Sequence, residues 1–210
     1  DLAIVGAGAA GIGAARRLHD AGIAVLLIEA RPRLGGRALT ADDGSGATID
    51  LGCGWLHSGD RNPWTEIARA EGRTIDRTPP PWVRQTTPTG EPSPEAASFR
   101  EALFAFRDRI AEFPEDGPDR AAASALEPGG RWNGLLDAVS TYYSGAELDR
   151  VSIRDLARYG DTGVNWRSVE GYGATIAAHS ACVPGRHECV FAAIDHAGAG
   201  VEFHTSQGIV

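Results

Sequence analysis

Apolar residues fall in short runs along this chain, each ended by glycine or a polar turn. Leu2 to Val5 is an aliphatic run stopped by Gly6, the pattern of a fully buried parallel strand. Small residues and Leu18 between Ala9 and Ala21 predict a helix that Gly22 ends. "IAVLLI", Ile23 to Ile28, predicts a second buried strand, so strand, helix and strand follow within about thirty residues as a βαβ unit. "TIDLGCGWLH", Thr48 to His57, reads as a strand entering a glycine-rich turn. "NPWTEIARAEG", Asn62 to Gly72, has a turn-type start, an early proline and a glycine stop, which predicts a helix.

Between Arg77 and Glu95 six prolines exclude a continuous helix or a central strand. A surface linker and an ordered excursion from the first domain both fit this stretch. A helix is predicted from Glu95 to Phe113, where Phe99, Leu103, Phe106 and Ile110 share one face as a core stripe. Gly134 to Gly145 predicts another helix, and Ser152 with Asp155 resembles a capping box. Val190–Asp195 and Val201–Thr205, joined by "HAGAG", predict paired strands, with a further strand expected at Val210. No internal repeat is visible.

Composition narrows the class. The chain has 210 residues, 42% hydrophobic and 23% charged, enough for a soluble protein of one or two domains with a real core. A net charge of −8 argues against wrapping nucleic acid and mildly attracts cations. All 20 basic residues are arginine, a compositional bias that excludes any mechanism needing a lysine within these residues. No apolar run is long enough to span a membrane, and no signal-peptide pattern precedes the first strand. Cys53, Cys182 and Cys189 are too few for a disulfide framework, so a reducing, cytoplasmic setting is expected. With no methionine, even at the start, the chain reads as a segment of something longer.

The candidate chemistry lies in "VGAGAAGIGAARRLHDAGIAVLLIEARPRLGGR", Val5 to Arg37. Gly6, Gly8 and Gly11 form G-x-G-x-x-G between a strand and a helix. Gly6 permits the tight turn, Gly8 the approach of a pyrophosphate, and Gly11 close packing of helix on sheet. Ala9 and Ala10 open the helix, whose N-terminal N–H groups and partial positive charge suit a phosphate diester. Glu29, eighteen residues after Gly11, is placed to accept hydrogen bonds from both hydroxyls of an adenosine ribose, and its charge disfavours NADP. Ala30 follows it at the strand end. "RLGGR", Arg33 to Arg37, adds a second glycine turn with cations around it, which suits a long cofactor bound in extended form.

These residues, with "DLGCGWLH" at Asp50 to His57, resemble the FAD-binding start of the flavin-containing amine oxidases, which include monoamine, polyamine and L-amino-acid oxidases. The resemblance implies an α/β fold with a Rossmann-like FAD-binding domain and a helical or mixed substrate-domain insertion. It divides the chain into residues 1–76 (first part of the FAD domain), 77–170 (substrate or cap region) and 171–210 (return to the FAD domain). Glu29 would bind the ribose, Arg31 and Arg37 would lie beside ribose and pyrophosphate, and Gly35 and Gly36 would line the cofactor. Gly52, Gly54, Trp55 and Leu56 match the family's turn near the flavin ring. "GVNWRSVEGYGATIAAHS", Gly163 to Ser180, resembles the return segment, in which a Gly-Tyr-Gly turn starts a helix. Three residues before Ile194, Phe191 stands where the family usually has a valine whose backbone contacts the adenine. The implied reaction passes a hydride equivalent from the carbon beside an amine nitrogen to the flavin; the imine then hydrolyses and oxygen reoxidises the flavin. The family's second half is missing, with its late flavin motif, aromatic cage and flavin-site lysine, so no catalytic acid or base is assigned.

Other residues carry less. His179, Cys182, His187 and Cys189 match no standard zinc spacing, and no metal site is expected. Cys53 reads as a buried inert thiol near the flavin and His57 as a polar packing residue. Tyr172 fits packing and substrate contact equally. Three alternatives stay open: another flavoenzyme with the same opening, such as a carotenoid desaturase or protoporphyrinogen oxidase; a non-catalytic FAD-binding module; and an NAD-dependent dehydrogenase.

Overall fold

The computed structural model describes residues 1–80, 93–114 and 116–210; residues 81–92 of the proline-rich stretch lie outside the described residues. Its elements begin with β1 (Leu2–Val5), α1 (Ala9–Asp20), β2 (Val25–Ile28), β3 (Thr40–Asp42), β4 (Thr48–Asp50), β5 (Leu56–His57), α2 (Pro63–Ala70) and β6 (Ile75–Asp76). Three helices follow: α3 (Pro94–Ala111), α4 (Asn133–Ser144) and α5 (Ile153–Arg158), with a 3-10 turn at Ala122–Ala125. The chain closes with β7 (Asn165–Ser168), α6 (Tyr172–Ala178), β8 (Gly185–Arg186), β9 (Phe191–Asp195), β10 (Glu202–Thr205) and β11 (Gly208–Ile209). It divides into two compact units, Asp1–Pro80 with Thr162–Val210, and Pro81–Asp161.

The first unit contains the expected βαβ unit. β1 and β2 pair in parallel, Leu2 opposite Val25 and Val5 opposite Ile28. Ile12 and Ala15 of α1 are wholly buried, and Val25, Leu27 and Ile28 of β2 are buried too. β1 departs from the buried pattern: Leu2 and Val5 are each 47% exposed. The reason is topological, since the sheet order is β1–β2–β8 and β1 forms an edge. β8, which the sequence did not suggest, pairs in parallel with Leu27 and Ile28.

β3 and β4 form an antiparallel pair. β7 lies between β5 and β6, antiparallel to both, and this pairing returns the chain to the first unit. α2 starts as its sequence requires: Asn62 accepts a hydrogen bond from the Trp64 N–H, and Pro63 takes the first helical position. The predicted C-terminal pair is present as β9 and β10, Phe203 opposite Ile194, and the two-residue β11 pairs with β10 on its other side.

In the second unit the predicted stripe of α3 is core. Phe106 and Ile110 are buried with Phe113, Leu136, Leu148 and Ile153, while Phe99 and Leu103 pack against them partly exposed. Ser152 accepts the Asp155 N–H at 3.0 Å, the cap expected at the start of α5. Ile153 is wholly buried at that start, so Ile153→Ala should lower stability by roughly 2–5 kcal/mol. A denaturant midpoint unchanged from wild type would show that this packing contributes little.

Candidate dinucleotide site

The site is built where β1 ends. The Gly6 N–H still donates to the Ile28 carbonyl at 2.7 Å, after which the chain turns into α1. Gly8 caps α1 with no side chain on its N–H groups, and its first turn holds no acidic residue. The N–H groups of Ala9, Ala10 and Gly11 therefore lack a carbonyl partner inside the helix, at its positive pole. A Cβ on Gly11 would overlap the Gly6 carbonyl oxygen, so α1 sits on the turn more closely than a larger residue permits.

The second glycine turn lies directly on the first. Gly35 N–H donates to the Ala7 carbonyl at 2.8 Å, and a Cβ on Gly36 would stand 3.0 Å from the Gly8 Cα. Gly35 and Gly36 have φ of 94° and 61°, which glycine adopts without strain. Arg33, one of the cations around the second glycine turn, folds back and donates to the Gly36 carbonyl at 2.9 Å. Arg31 and Arg37 are exposed, as is Ala30.

Glu29 joins these parts. Only 9% exposed, its carboxylate accepts the Ala7 N–H at 2.8 Å on Oε2 and the Arg31 N–H at 2.9 Å on Oε1. A carboxylate has about four acceptor positions, so two remain. The return segment braces the same residue: Glu29 N–H donates to the Arg186 carbonyl, and Cys189 N–H to the Glu29 carbonyl, each at 2.9 Å.

The 52–56 turn continues from this cradle. A Cβ on Gly52 would overlap the Arg37 carbonyl oxygen, so the third turn rests on the end of the second. Gly54 backs onto the Asp50 side chain. Trp55 lies under the Arg167 guanidinium, 5.0 Å from the ring centre, and Arg167 is ion-paired with Asp76 at 2.7 Å. Hydrogen bonding to Thr78, then to Arg167, pushes the Asp76 carboxyl down to about 2. Leu56 is 1% exposed and its side chain belongs to the core. The Phe191 ring packs on Phe203, 6.1 Å between centres, in the β9–β10–β11 sheet.

Cys53 is exposed instead of buried, as part of a turn flanked by two glycines. His57 has a partner that the sequence did not show, its Nδ1 lying 2.6 Å from Asn165 Oδ1. His179 pairs with Glu71 at 2.7 Å. Among the described residues no three His, Cys, Asp or Glu side chains converge as a metal site. The residues that sequence reasoning missed are Thr40 and Asp50. Asp50 accepts the N–H groups of Tyr172 at 2.9 Å and Gly173 at 3.2 Å, tying β4 to α6. Only the D-x-G pattern pointed toward it.

This geometry is that of a Rossmann-like fold, and residues 4–70 match the family described as NAD(P)-binding Rossmann-like domain. More narrowly, the chain is similar to the flavin-containing amine oxidases. It is 42% identical over 76 residues to probable polyamine oxidase 4 of Arabidopsis thaliana, covering 36% of this chain and 15% of that protein. With flavin-containing amine oxidase B of Rattus norvegicus it shares 44% over 52 residues, 25% of this chain and 10% of that one. The structure of cyclohexylamine oxidase from Brevibacterium oxydans has the same fold, with a TM-score of 0.74 at 21% identity, over 100% of this chain and 55% of that one. The chain thus spans little more than half the length of that oxidase. Among the described residues no helix is long and apolar enough to cross a membrane.

Tyr172, at the start of α6, is 8% exposed and meets Trp64 edge-on at 6.4 Å. Burial, with the nearby Cys53 thiolate second, pushes its phenol up to about 12. The neutral phenol is favoured in the folded state, so this stability is complete below about pH 10 and disappears as pH rises toward 12. A phenolate absorbance titration should show a component near pH 12 that Tyr172→Phe removes. Its persistence in that variant would assign it to another tyrosine.

Proposed function

We propose that this chain binds FAD in its first unit and is the cofactor-holding part of a flavin-dependent amine oxidase acting on a small amine. One observation carries the reading: two glycine turns meet backbone to backbone beside an uncapped helix start, with the Glu29 carboxylate anchored on the Ala7 N–H between them. The residues fit the group. The N–H groups of Ala9, Ala10 and Gly11, at a helix start with no side-chain cap, suit its diphosphate, and the two remaining acceptor positions of Glu29 suit the ribose hydroxyls. Gly35, Gly36, Arg31 and Arg37 continue the cradle, Gly52, Gly54 and Trp55 extend it, and the backbone at Leu56 and Phe191 completes the set.

Bound FAD supplies the acceptance of a hydride from the carbon beside an amine nitrogen. This chain's residues bind, orient and exclude water. Gly36 lets the second turn lie against Gly8, where a Cβ would stand 3.0 Å from the Gly8 Cα, so the two turns offer main chain to the diphosphate together. Trp55, held by the Arg167–Asp76 pair, presents an apolar wall beside the 52–54 turn. The net charge of −8 favours a cationic substrate over nucleic acid. Three unpaired cysteines support a reducing, cytoplasmic setting.

The protein expressed from its whole gene should purify with flavin absorbance, and anaerobic addition of a suitable amine should bleach it. Bound flavin that no amine bleaches would redirect the reading to a desaturase-type or protoporphyrinogen-oxidase-type flavoenzyme. A colourless protein that binds NAD would overturn it altogether. Glu29→Gln places an amide N–H against the Ala7 or Arg31 N–H and should weaken FAD binding about tenfold or more. Unchanged affinity in a flavin-fluorescence titration would remove Glu29 from the site.

A further inference from the structure

The N-terminal N–H groups of α6 are consumed by side chains more than a hundred residues earlier in the chain. Asp50 Oδ2 accepts from Tyr172 N–H at 2.9 Å and Oδ1 from Gly173 N–H at 3.2 Å. Thr40 Oγ1 accepts the third, from Ala174 N–H at 2.9 Å, and donates its own proton to Asp50 Oδ1 at 2.5 Å. Thr40 and Asp50 face each other across β3 and β4, so the pair is presented by one register position. The fit leaves no slack. Gly171 has φ of 93° and a Cβ there would overlap the Thr40 side chain, while a Cβ on Gly173 would stand 2.6 Å from the Thr40 nitrogen.

Asp50 also lies two residues before Gly52, whose turn rests on the Arg37 carbonyl just beyond Gly35–Gly36. The same carboxylate therefore fixes α6, with the buried Tyr172 ring, and the entrance to the 52–55 turn. The geometry points to Asp50 and Thr40 as a pair of positioning residues that set the 52–55 turn and the start of α6 beside the Gly35–Gly36 turn of the cofactor cradle. Neither needs to touch the cofactor. Asp50 cancels the positive pole of α6, whereas α1 keeps its own pole open. This inference rests on the FAD reading above.

The test uses the protein expressed from its whole gene, with four variants: Asp50→Asn, Thr40→Val, Thr40→Ser and the double variant Asp50→Asn/Thr40→Val. Asp50→Asn turns one carboxylate oxygen into an N–H donor facing backbone N–H groups; Thr40→Val keeps the shape and removes the hydroxyl. Each should raise the FAD dissociation constant about tenfold and alter the visible circular dichroism of the bound flavin. The double variant should be little worse than either single one, because both break one network. Thr40→Ser, which keeps the hydroxyl, should restore wild-type affinity and spectrum.

Three results would overturn the inference: wild-type affinity and flavin dichroism in Asp50→Asn and Thr40→Val, additive losses in the double variant, or no rescue by serine, which would leave only packing of the threonine methyl. If Asp50→Asn fails to fold, the Thr40 pair decides. A wild-type protein that binds no FAD would bring down the functional reading itself, and this inference with it. Normal FAD binding with insensitive variants would bring down only the inference.

Discussion

The first unit is organised around close contact between main-chain segments where side chains are absent. Gly36 approaches Gly8, Gly11 presses α1 onto Gly6, and Gly52 rests on the Arg37 carbonyl. A single Cβ at Gly11 or Gly52 would overlap a backbone oxygen, and interiors packed near crystal density do not absorb such overlaps cheaply. On the FAD reading, these contacts are what would let a diphosphate approach the main chain.

Glu29 turns that arrangement into a chemical site. Its burial at the end of β2 is tolerated because both carboxylate oxygens receive backbone N–H groups and the return segment pairs on either side of it. The carboxylate thus holds the glycine turn in shape before any ligand arrives. Such preorganisation lowers the ordering cost of binding. The same logic runs through Asp76 and Arg167, which hold the Trp55 ring from behind.

The βαβ unit, the glycine turn, the α2 cap and the α3 stripe were legible in the sequence because each is set by local periodicity or by one residue's conformational habit. Burial of β1 was misjudged, since an aliphatic run looks the same at the edge of a sheet as at its centre. β8 escaped notice because two residues, Gly185 and Arg186, carry no periodicity. The roles of Thr40 and Asp50 depend on partners 122 to 134 residues away. Long-range pairing of that kind leaves no trace in local pattern. His57 gained Asn165 for the same reason.

Two helices begin close to the glycine cradle, but their beginnings are unlike: α1 starts with no side-chain cap, and α6 starts already sealed by Asp50 and Thr40. If the chain holds FAD as proposed, the diphosphate would meet the uncapped start of α1 and not the start of α6, and Glu29 would stand on the ribose side. On that reading the contrast between the two helix starts gives the cofactor a direction along the cradle.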